Sequence, residues 1–154
     1  MSARTIFNII RAVVILFGIG VSALSTIMTY DAVSLNIGLK DVAGSVVFTI
    51  GPTTVDVKAT INLEHRGILF SFSNMNVVVY IYSDVVGKNN PVAWDRETFT
   101  INPGEQKTLT FNFVVSRAVF NTTTEWTIVI EVEGVMSLMD RNFASFALNY
   151  TEII

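Results

Sequence analysis

Cysteine is absent from the 154-residue chain, and histidine occurs once, at position 65. Without thiols the chain cannot form disulfides, zinc–thiolate sites or iron–sulfur clusters, and it has no thiol nucleophile. Sites that need two or more imidazoles cannot form within one chain that holds a single histidine. The composition therefore excludes thiol chemistry and multi-histidine metal sites.

Charged residues are also scarce, at 15%, and their two signs are distributed unevenly. Residues 1–30 carry Arg4 and Arg11 and no acid, whereas residues 31–154 hold 8 basic and 13 acidic residues, for a net charge of −5. An acidic domain with scattered Lys and Arg offers no attractive field to a polyphosphate backbone. Nucleic acid is therefore not expected as a partner.

The chain does have one long uncharged stretch, which covers the nineteen residues 12–30 directly after Arg11. A helix of this length extends about 28 Å, close to the hydrocarbon thickness of a bilayer. The segment has no polar face, which disfavours a buried helix in a globular core. We expect residues 1–30 to form an N-terminal transmembrane helix that contacts lipid through residues 12–30, and residues 31–154 to form a separate domain.

A cleaved signal peptide is the alternative, because Ala23-Leu24-Ser25 resembles a small-x-small cleavage site. The apolar run is longer than a usual signal-peptide core, which favours a retained anchor. Arg4 and Arg11 precede the span, so we expect a cytoplasmic N-terminus and an external C-terminal domain. With cleavage, the protein would instead be a secreted filament subunit.

Small residues recur on one face of this helix, at Gly18, Ser22 and Thr26. Small side chains at four-residue spacing allow two membrane helices to approach closely. These three positions are therefore candidates for helix packing, although such residues are common in membrane helices in any case.

From residue 31 the hydrophobic period changes to strict alternation, which is typical of strands. In the first such run, Val33, Leu35, Ile37 and Leu39 alternate with polar or small residues. Seven to nine short strands follow one another, separated by turn signals such as Asn102-Pro103-Gly104. The pattern predicts an all-β domain, an antiparallel two-sheet β-sandwich of immunoglobulin or fibronectin-III type.

Three stretches, "VDVKATINL", "NVVVYIYSDVVG" and "FTINPGEQKTLTFNFVVS", carry a family resemblance. Across residues 55–116 they resemble the LEA14/WHy-type β-sandwich, in which an I-x-P-G turn leads into a long alternating strand. The combination of one N-terminal span with an external sandwich also resembles archaeal surface-appendage subunits.

No catalytic constellation is apparent, so we expect no enzyme activity, no cofactor, no metal and no small-molecule substrate. His65 lies in "LEHRG", which we interpret as an exposed loop, and no Gly-x-Ser-x-Gly elbow accompanies it. The carboxylate pairs Asp95/Glu97 and Glu131/Glu133 each share a strand face. Such pairs could bind a hard cation, but a solvated face or a guarded sheet edge explains them more simply.

Two sequons, at Asn121 and Asn149, are candidates for glycosylation, since both fall in the part expected outside the cell. Function is then expected to reside in surfaces. If Val77, Val79 and Ile81 fill the core, Tyr80 and Tyr82 face outward and are candidate contact residues for a protein partner or for self-assembly.

The sequence thus predicts a membrane-anchored interaction module at the cell surface. One alternative is a filament subunit whose segment 33–39 completes a neighbour's sandwich by strand donation, through Val33, Leu35, Ile37 and Leu39. A second alternative is an accessory subunit of a membrane complex.

Overall fold

In the computed structural model, one long helix precedes a domain of seven strands. The structure describes residues 3–39, 46–87 and 89–153, and within them the side chains of all but residues 3–10, 36–39 and 152. In chain order the elements are α1 (Ala3–Leu39), β1 (Val46–Ile50), β2 (Thr54–Glu64), β3 (Ser71–Ser83), β4 (Ala93–Ile101), β5 (Gln106–Ser116), α2 (Arg117–Thr122), β6 (Trp126–Leu138) and β7 (Arg141–Ile153).

The strands form two antiparallel sheets that face one another. One sheet has three strands in the order β1-β2-β5, and the other has four in the order β4-β3-β6-β7. The consecutive strands β2 and β3 belong to opposite sheets, so the chain crosses from one layer to the other between them. The predicted antiparallel two-sheet sandwich behind one apolar N-terminal helix is confirmed.

Alternating side chains of the strands fill the space between the sheets. In β3, Val77, Val79 and Ile81 are buried as predicted, and the inward positions of β2 and β5 face them. Full burial of each large aliphatic side chain stabilises the fold by about 1.5–3 kcal/mol. The remaining core residues of the described strands are Val55, Val57, Ile61, Leu63, Phe72, Met75, Ile101, Leu109, Phe111, Phe113, Val115, Ile130, Val132 and Met136.

The prediction of a strand at residues 33–39 is wrong, because α1 continues without a break to Leu39. Leu35 is fully buried in the core of its own chain, whereas Val33 is exposed. The alternation misled because Leu35 also lies four residues after Asp31, at helical spacing, on the face that packs against the sandwich. The side chains of Ile37 and Leu39 lie outside the described residues.

The helix has two parts with different surroundings. Every side chain in residues 11–23 is exposed, whereas Leu24, Ile27, Met28 and Ala32 pack against the core of the sandwich. The segment Arg11–Leu35, with a mean hydropathy of 2.1, is long and apolar enough to cross a membrane. The change from helix to sandwich that we expected after residue 30 therefore falls inside a continuous helix.

Two smaller features differ from the expected strand pattern. The apolar runs on either side of Asn74 form one strand, β3, which is interrupted by a bulge where Asn74 adopts a positive φ of 50°. After β5 the six-residue helix α2 begins at Arg117, where no helix was expected. Both are local irregularities that leave the alternation of the flanking strands intact.

The register of β3 and β6 defines two ends of the sandwich. Ser71 pairs with Ser137 at one end, and Ser83 pairs with Trp126 at the other. The first end also carries the loop of residues 65–70, which contacts α1, and the β6–β7 hairpin turn. We call it the helix-proximal end. The opposite end carries the β3–β4 loop and α2.

Candidate functional sites at the helix junction and on the four-stranded sheet

The first candidate site is a buried polar cluster where α1 meets the sandwich. Asp31 is fully buried, and its carboxylate accepts three hydrogen bonds from consecutive backbone N–H groups of the loop after β2. The donors are Ile68 at 2.8 Å, Leu69 at 3.2 Å and Phe70 at 2.8 Å. A buried carboxylate is tolerated when several donors replace its water, so the loop forms a tailored seat for Asp31.

His65 belongs to the same cluster, and the expectation that it is exposed is wrong. It does lie in a loop, but its side chain is fully buried and edge-on to Phe72, with ring centroids 4.6 Å apart. Its Nε2 lies 2.6 Å from the Phe70 carbonyl oxygen, which can only accept, so Nε2 carries the hydrogen. Its Nδ1 then accepts the Gly67 N–H at 3.2 Å.

The cluster brings a serine, a histidine and an aspartate together without the connections of a catalytic triad. Ser34 Oγ lies 3.5 Å from His65 Nδ1, but its hydroxyl donates to the Asp31 backbone carbonyl at 2.7 Å. The Asp31 carboxylate receives the loop N–H groups described above. Since a triad needs an accessible nucleophile bonded to its base and a base held by the carboxylate, this arrangement is a structural lock.

Gly67 lets the loop close over this cluster. A Cβ atom at this position would stand 2.0 Å from Cε1 of His65 and 2.8 Å from Cγ of Asp31. Glycine is therefore required by close approach and not by an unusual backbone angle. Sequence reasoning missed the partnership of Asp31 with this loop. The sequence signal that could have revealed this partnership is the helical spacing of Met28, Asp31 and Leu35, which places the three residues on one face of α1.

The second candidate site is an aromatic face on the outer side of the four-stranded sheet, formed by Tyr80, Tyr82, Trp94 and Val129. Tyr80 pairs with Trp94 on β4 and with Val129 on β6, so these side chains form one row across three strands. The rings of Tyr80 and Tyr82 are 6.3 Å apart. Trp94 is 61% exposed. The prediction that the tyrosine stripe faces outward is confirmed, while its role in binding stays a prediction.

Tyr80 is held in place by its surroundings. Partial burial raises the pKa of the Tyr80 hydroxyl, and the neighbouring Glu131 carboxylate, which also forms a hydrogen bond with it, raises the pKa further. The phenol thus stays protonated and points a polar group along the sheet surface. Val78 lies on the same face of β3, two residues before Tyr80. It is buried between its cross-strand neighbours, Arg96 on β4 and Glu131 on β6.

The carboxylate pairs lie on different sides of this sheet. Asp95 pairs with core residue Val79 at the edge strand β4, and its carboxylate accepts the Asn112 N–H of β5 at 3.0 Å. Asp95 therefore caps an N–H group at the edge of the neighbouring sheet. Glu131 and Glu133 lie on the outer face. Within the described ranges, no three His, Asp or Glu side chains are grouped to hold a metal ion.

The remaining candidate residues are exposed but not brought together. Asn121 lies on α2 and Asn149 on β7, both accessible, and their glycosylation stays a prediction. Along α1, Ser22 donates to the Gly18 carbonyl and Thr26 to the Ser22 carbonyl, each at 2.9 Å. Their hydroxyls are thus satisfied within the helix, which makes this stripe compatible with an apolar environment.

A small apolar cavity of about 30 Å³ lies between the sheets, next to Trp126 and Phe120. It is comparable in size to one water molecule, and such an apolar space has no polar partners to hold a water in place.

No protein-family model and no curated protein matches the chain. Among solved structures, a glycoside hydrolase family 2 β-glucuronidase aligns at 10% identity and a TM-score of 0.40, over 68% of this chain and 10% of the enzyme. An Archaeoglobus fulgidus protein aligns at 8% identity and 0.35, over 70% of this chain and 92% of that protein. An Arabidopsis thaliana protein aligns at 9% identity and a TM-score of 0.41, over 72% of this chain and 77% of that protein.

These similarities are distant. The chain spans about a tenth of the glucuronidase, so only one part of that enzyme is comparable. At such identities and TM-scores the alignments say nothing about activity. Any functional conclusion must therefore come from the residues of this chain.

Proposed function

We propose that this protein is a non-enzymatic, membrane-anchored module that binds a protein partner outside the cell with its aromatic face. The observation that carries the proposal is the position of Trp94, which is largely exposed beside Tyr80 on a regular sheet. A large exposed apolar side chain gains nothing from solvent, and Trp and Tyr dominate the binding energy of protein interfaces.

The surroundings of the aromatic face support a contact surface. The side chains project from paired strands and are therefore positioned before binding, which lowers the entropic cost of association. A shallow depression of about 510 Å³ lies on the same sheet, lined among others by Asn74, Arg96 and Glu133. An aromatic centre next to polar groups of both signs has the composition of a specific interface.

The anchor in this proposal is the exposed part of α1. Its length and hydropathy suit a membrane span, and Arg4 and Arg11 before it favour a cytoplasmic N-terminus. The sandwich would then stand outside the cell on a helix whose last turns are locked into it through Asp31. This rigid attachment suits a module that holds its binding face at a fixed height above the membrane.

Strand donation by residues 33–39 loses its basis, because this segment is helical and Leu35 fills the core of its own chain. The proposal therefore places any partner on the aromatic face. A second copy of the chain is one such partner that the experiment below would detect.

The test is affinity capture of the full-length chain from its native membranes in mild detergent. The variants are Tyr80→Ser/Tyr82→Ser and Trp94→Ser, and the control is Val114→Ser on the three-stranded sheet, where Val114 is 62% exposed. We expect a partner that binds the wild type and the control equally and the aromatic variants at least tenfold more weakly, since such residues contribute about 2 kcal/mol or more.

Melting temperatures separate loss of binding from loss of folding. The aromatic variants should melt within a few degrees of the wild type, since their side chains lie on the surface. The proposal is refuted if the aromatic variants retain every partner of the wild type. It is also refuted if Val114→Ser weakens binding to the same degree.

A further inference from the structure

The part of α1 that follows Arg11 and does not contact the sandwich is too short to cross a membrane. From Arg11 to the first packed residue, Leu24, all thirteen side chains of residues 11–23 are exposed, and this segment extends about 20 Å. A bilayer core is about 30 Å thick. Extending the span toward the N-terminus instead would place Arg11 deep in lipid, which costs about 3 kcal/mol or more.

With Arg11 at the cytoplasmic boundary, the hydrocarbon core reaches about as far as Tyr30. Residues 24–30 are then both within the bilayer and adjacent to the sandwich. Asp31, one residue further, contacts the loop of residues 68–70, so this loop lies at the level where the bilayer ends. The helix-proximal end of the sandwich must therefore touch the membrane surface.

The loop at this level presents apolar side chains to its surroundings. Ile68 is 68% exposed, and Leu69 is exposed as well. In water the two aliphatic side chains stay exposed, so the fold lacks the stabilisation of about 1.5–3 kcal/mol that burial of each would give.

The β6–β7 hairpin turn at the same end has the same character. Its two turn residues, Met139 and Asp140, have φ values of 49° and 62°, a geometry that Asn and Gly favour. Met139 nevertheless occupies the tip, where it is 90% exposed. Phe143, three residues after Asp140, is also exposed and stacks edge-on against Phe70, with centroids 5.4 Å apart.

We propose that Ile68, Leu69, Met139 and Phe143 form an apolar rim that dips into the interface of the bilayer crossed by α1. This inference rests on the membrane anchor of the proposed function. The rim would fix the tilt of the sandwich on the membrane, and with it the direction in which the aromatic face points. It also accounts for the sealed environment of Asp31, since an acid at the membrane boundary needs internal partners when lipid displaces water.

The test uses single-cysteine variants of the full chain, which has no natural cysteine. Ile68→Cys and Met139→Cys probe the rim, and Val14→Cys probes the free part of the helix. Val85→Cys is the control, because Val85 is 54% exposed on the β3–β4 loop at the opposite end. Each variant carries an environment-sensitive fluorophore and is reconstituted into phosphatidylcholine vesicles with nitroxide lipids that quench near the headgroups or near the bilayer centre.

We expect the labels at 68 and 139 to be quenched by the shallow nitroxide, the label at 14 by the deep one, and the label at 85 by neither. If position 14 is quenched while 68 and 139 behave like 85, the rim is refuted and the anchor stands. If position 14 is not quenched, the anchor fails and the rim with it. Labels at 68 and 139 that are shielded from iodide but not quenched by lipid would mean that another protein surface covers them, which also refutes the rim.

Discussion

The Phe70 backbone N–H donates a 2.8 Å hydrogen bond to the Asp31 carboxylate, across 39 positions of sequence. This bond and its two neighbours join an apolar helix to a β-domain through a charge that is hidden from solvent. In the sequence, Asp31 resembles the polar residue that ends a membrane span. In the structure, it attaches the helix to the sandwich.

Replacing this carboxylate should weaken the junction. Asp31→Asn keeps the shape but turns one acceptor oxygen into a donor that faces the loop N–H groups. We expect the free energy of unfolding of the full chain in detergent to fall by about 2–4 kcal/mol, as for lost hydrogen bonds to a buried charge. The matched control is Asp140→Asn at the exposed hairpin tip, which should melt no lower than the wild type because asparagine readily adopts the positive φ of that turn. Equal melting of the two variants would contradict the lock.

Gly67→Ala should disturb the same junction by steric overlap. The added methyl group would stand 2.0 Å from His65 Cε1 and 2.8 Å from Asp31 Cγ, so the loop must move away from the helix. We expect a loss of several degrees in melting temperature. Gly20→Ala is the control: nothing lies within 4 Å of its Cβ position, and alanine favours a helix by about 1 kcal/mol. The two variants should shift the melting temperature in opposite directions, if the control shifts it at all.

Substitutions of the two tryptophans should differ in their effect on stability, because one ring packs against the core and the other is mostly exposed. Trp126 is half-buried, 5.8 Å from the ring of Phe120, whereas Trp94 is mostly exposed. Trp126→Ser should therefore cost about 2 kcal/mol or more of stability, and Trp94→Ser should cost little. Thermal unfolding followed by circular dichroism measures both. A large loss in Trp94→Ser would show that this ring supports the fold, and the aromatic face would then need another explanation.

Acid should loosen the opposite end of the sandwich through Asp84. Hydrogen bonds from the Thr124 hydroxyl, followed by backbone N–H groups, lower the pKa of the Asp84 carboxyl below its usual 3.8, although desolvation opposes them. Because the folded-state pKa is depressed, this contact stabilises the fold above pH 3.8 and is lost as the pH falls below it. Asp84→Asn should melt below the wild type at pH 7, and the difference should shrink at pH 3. A gap that stays constant with pH would rule out the charge as its source.

Met139→Asn should stabilise the domain while it removes a rim residue. Asparagine adopts the left-handed turn conformation more readily than methionine, so we expect a gain of about 1 kcal/mol in the free energy of unfolding in detergent. Phe143→Asn, a rim change outside the turn, should instead lower stability because it removes the contact with Phe70. A drop for Met139→Asn would show that the methionine packs within the protein.

Much of the fold could be predicted from periodicity. The alternation that places Val77, Val79 and Ile81 inward and the tyrosines outward depends only on the geometry of a strand, in which successive side chains point to opposite faces. The uncharged run after Arg11 likewise predicted a helix from composition alone. These patterns are local, and the structure reproduces them.

The errors arose where a local pattern fits two structures. The residues around Leu35 alternate like a strand, yet they also continue the buried face of α1 that includes Met28 and Asp31. Only contact with the sandwich decides between the two, because burial of Leu35 and the bonds to Asp31 stabilise the helical choice. His65 was misplaced for the same reason, since a loop sequence does not reveal that a helix covers it.

The sequence by itself therefore determined the apolar helix, the alternating faces of most strands, and the exclusion of thiol and multi-histidine chemistry. The tertiary structure alone decided where the helix joins the domain, which polar groups are buried there, and that Ile68, Met139 and Phe143 share one end. The physical reason is range. Side-chain direction repeats over two to four residues along the chain, whereas the seat of Asp31 is built from a loop 37 to 39 residues away.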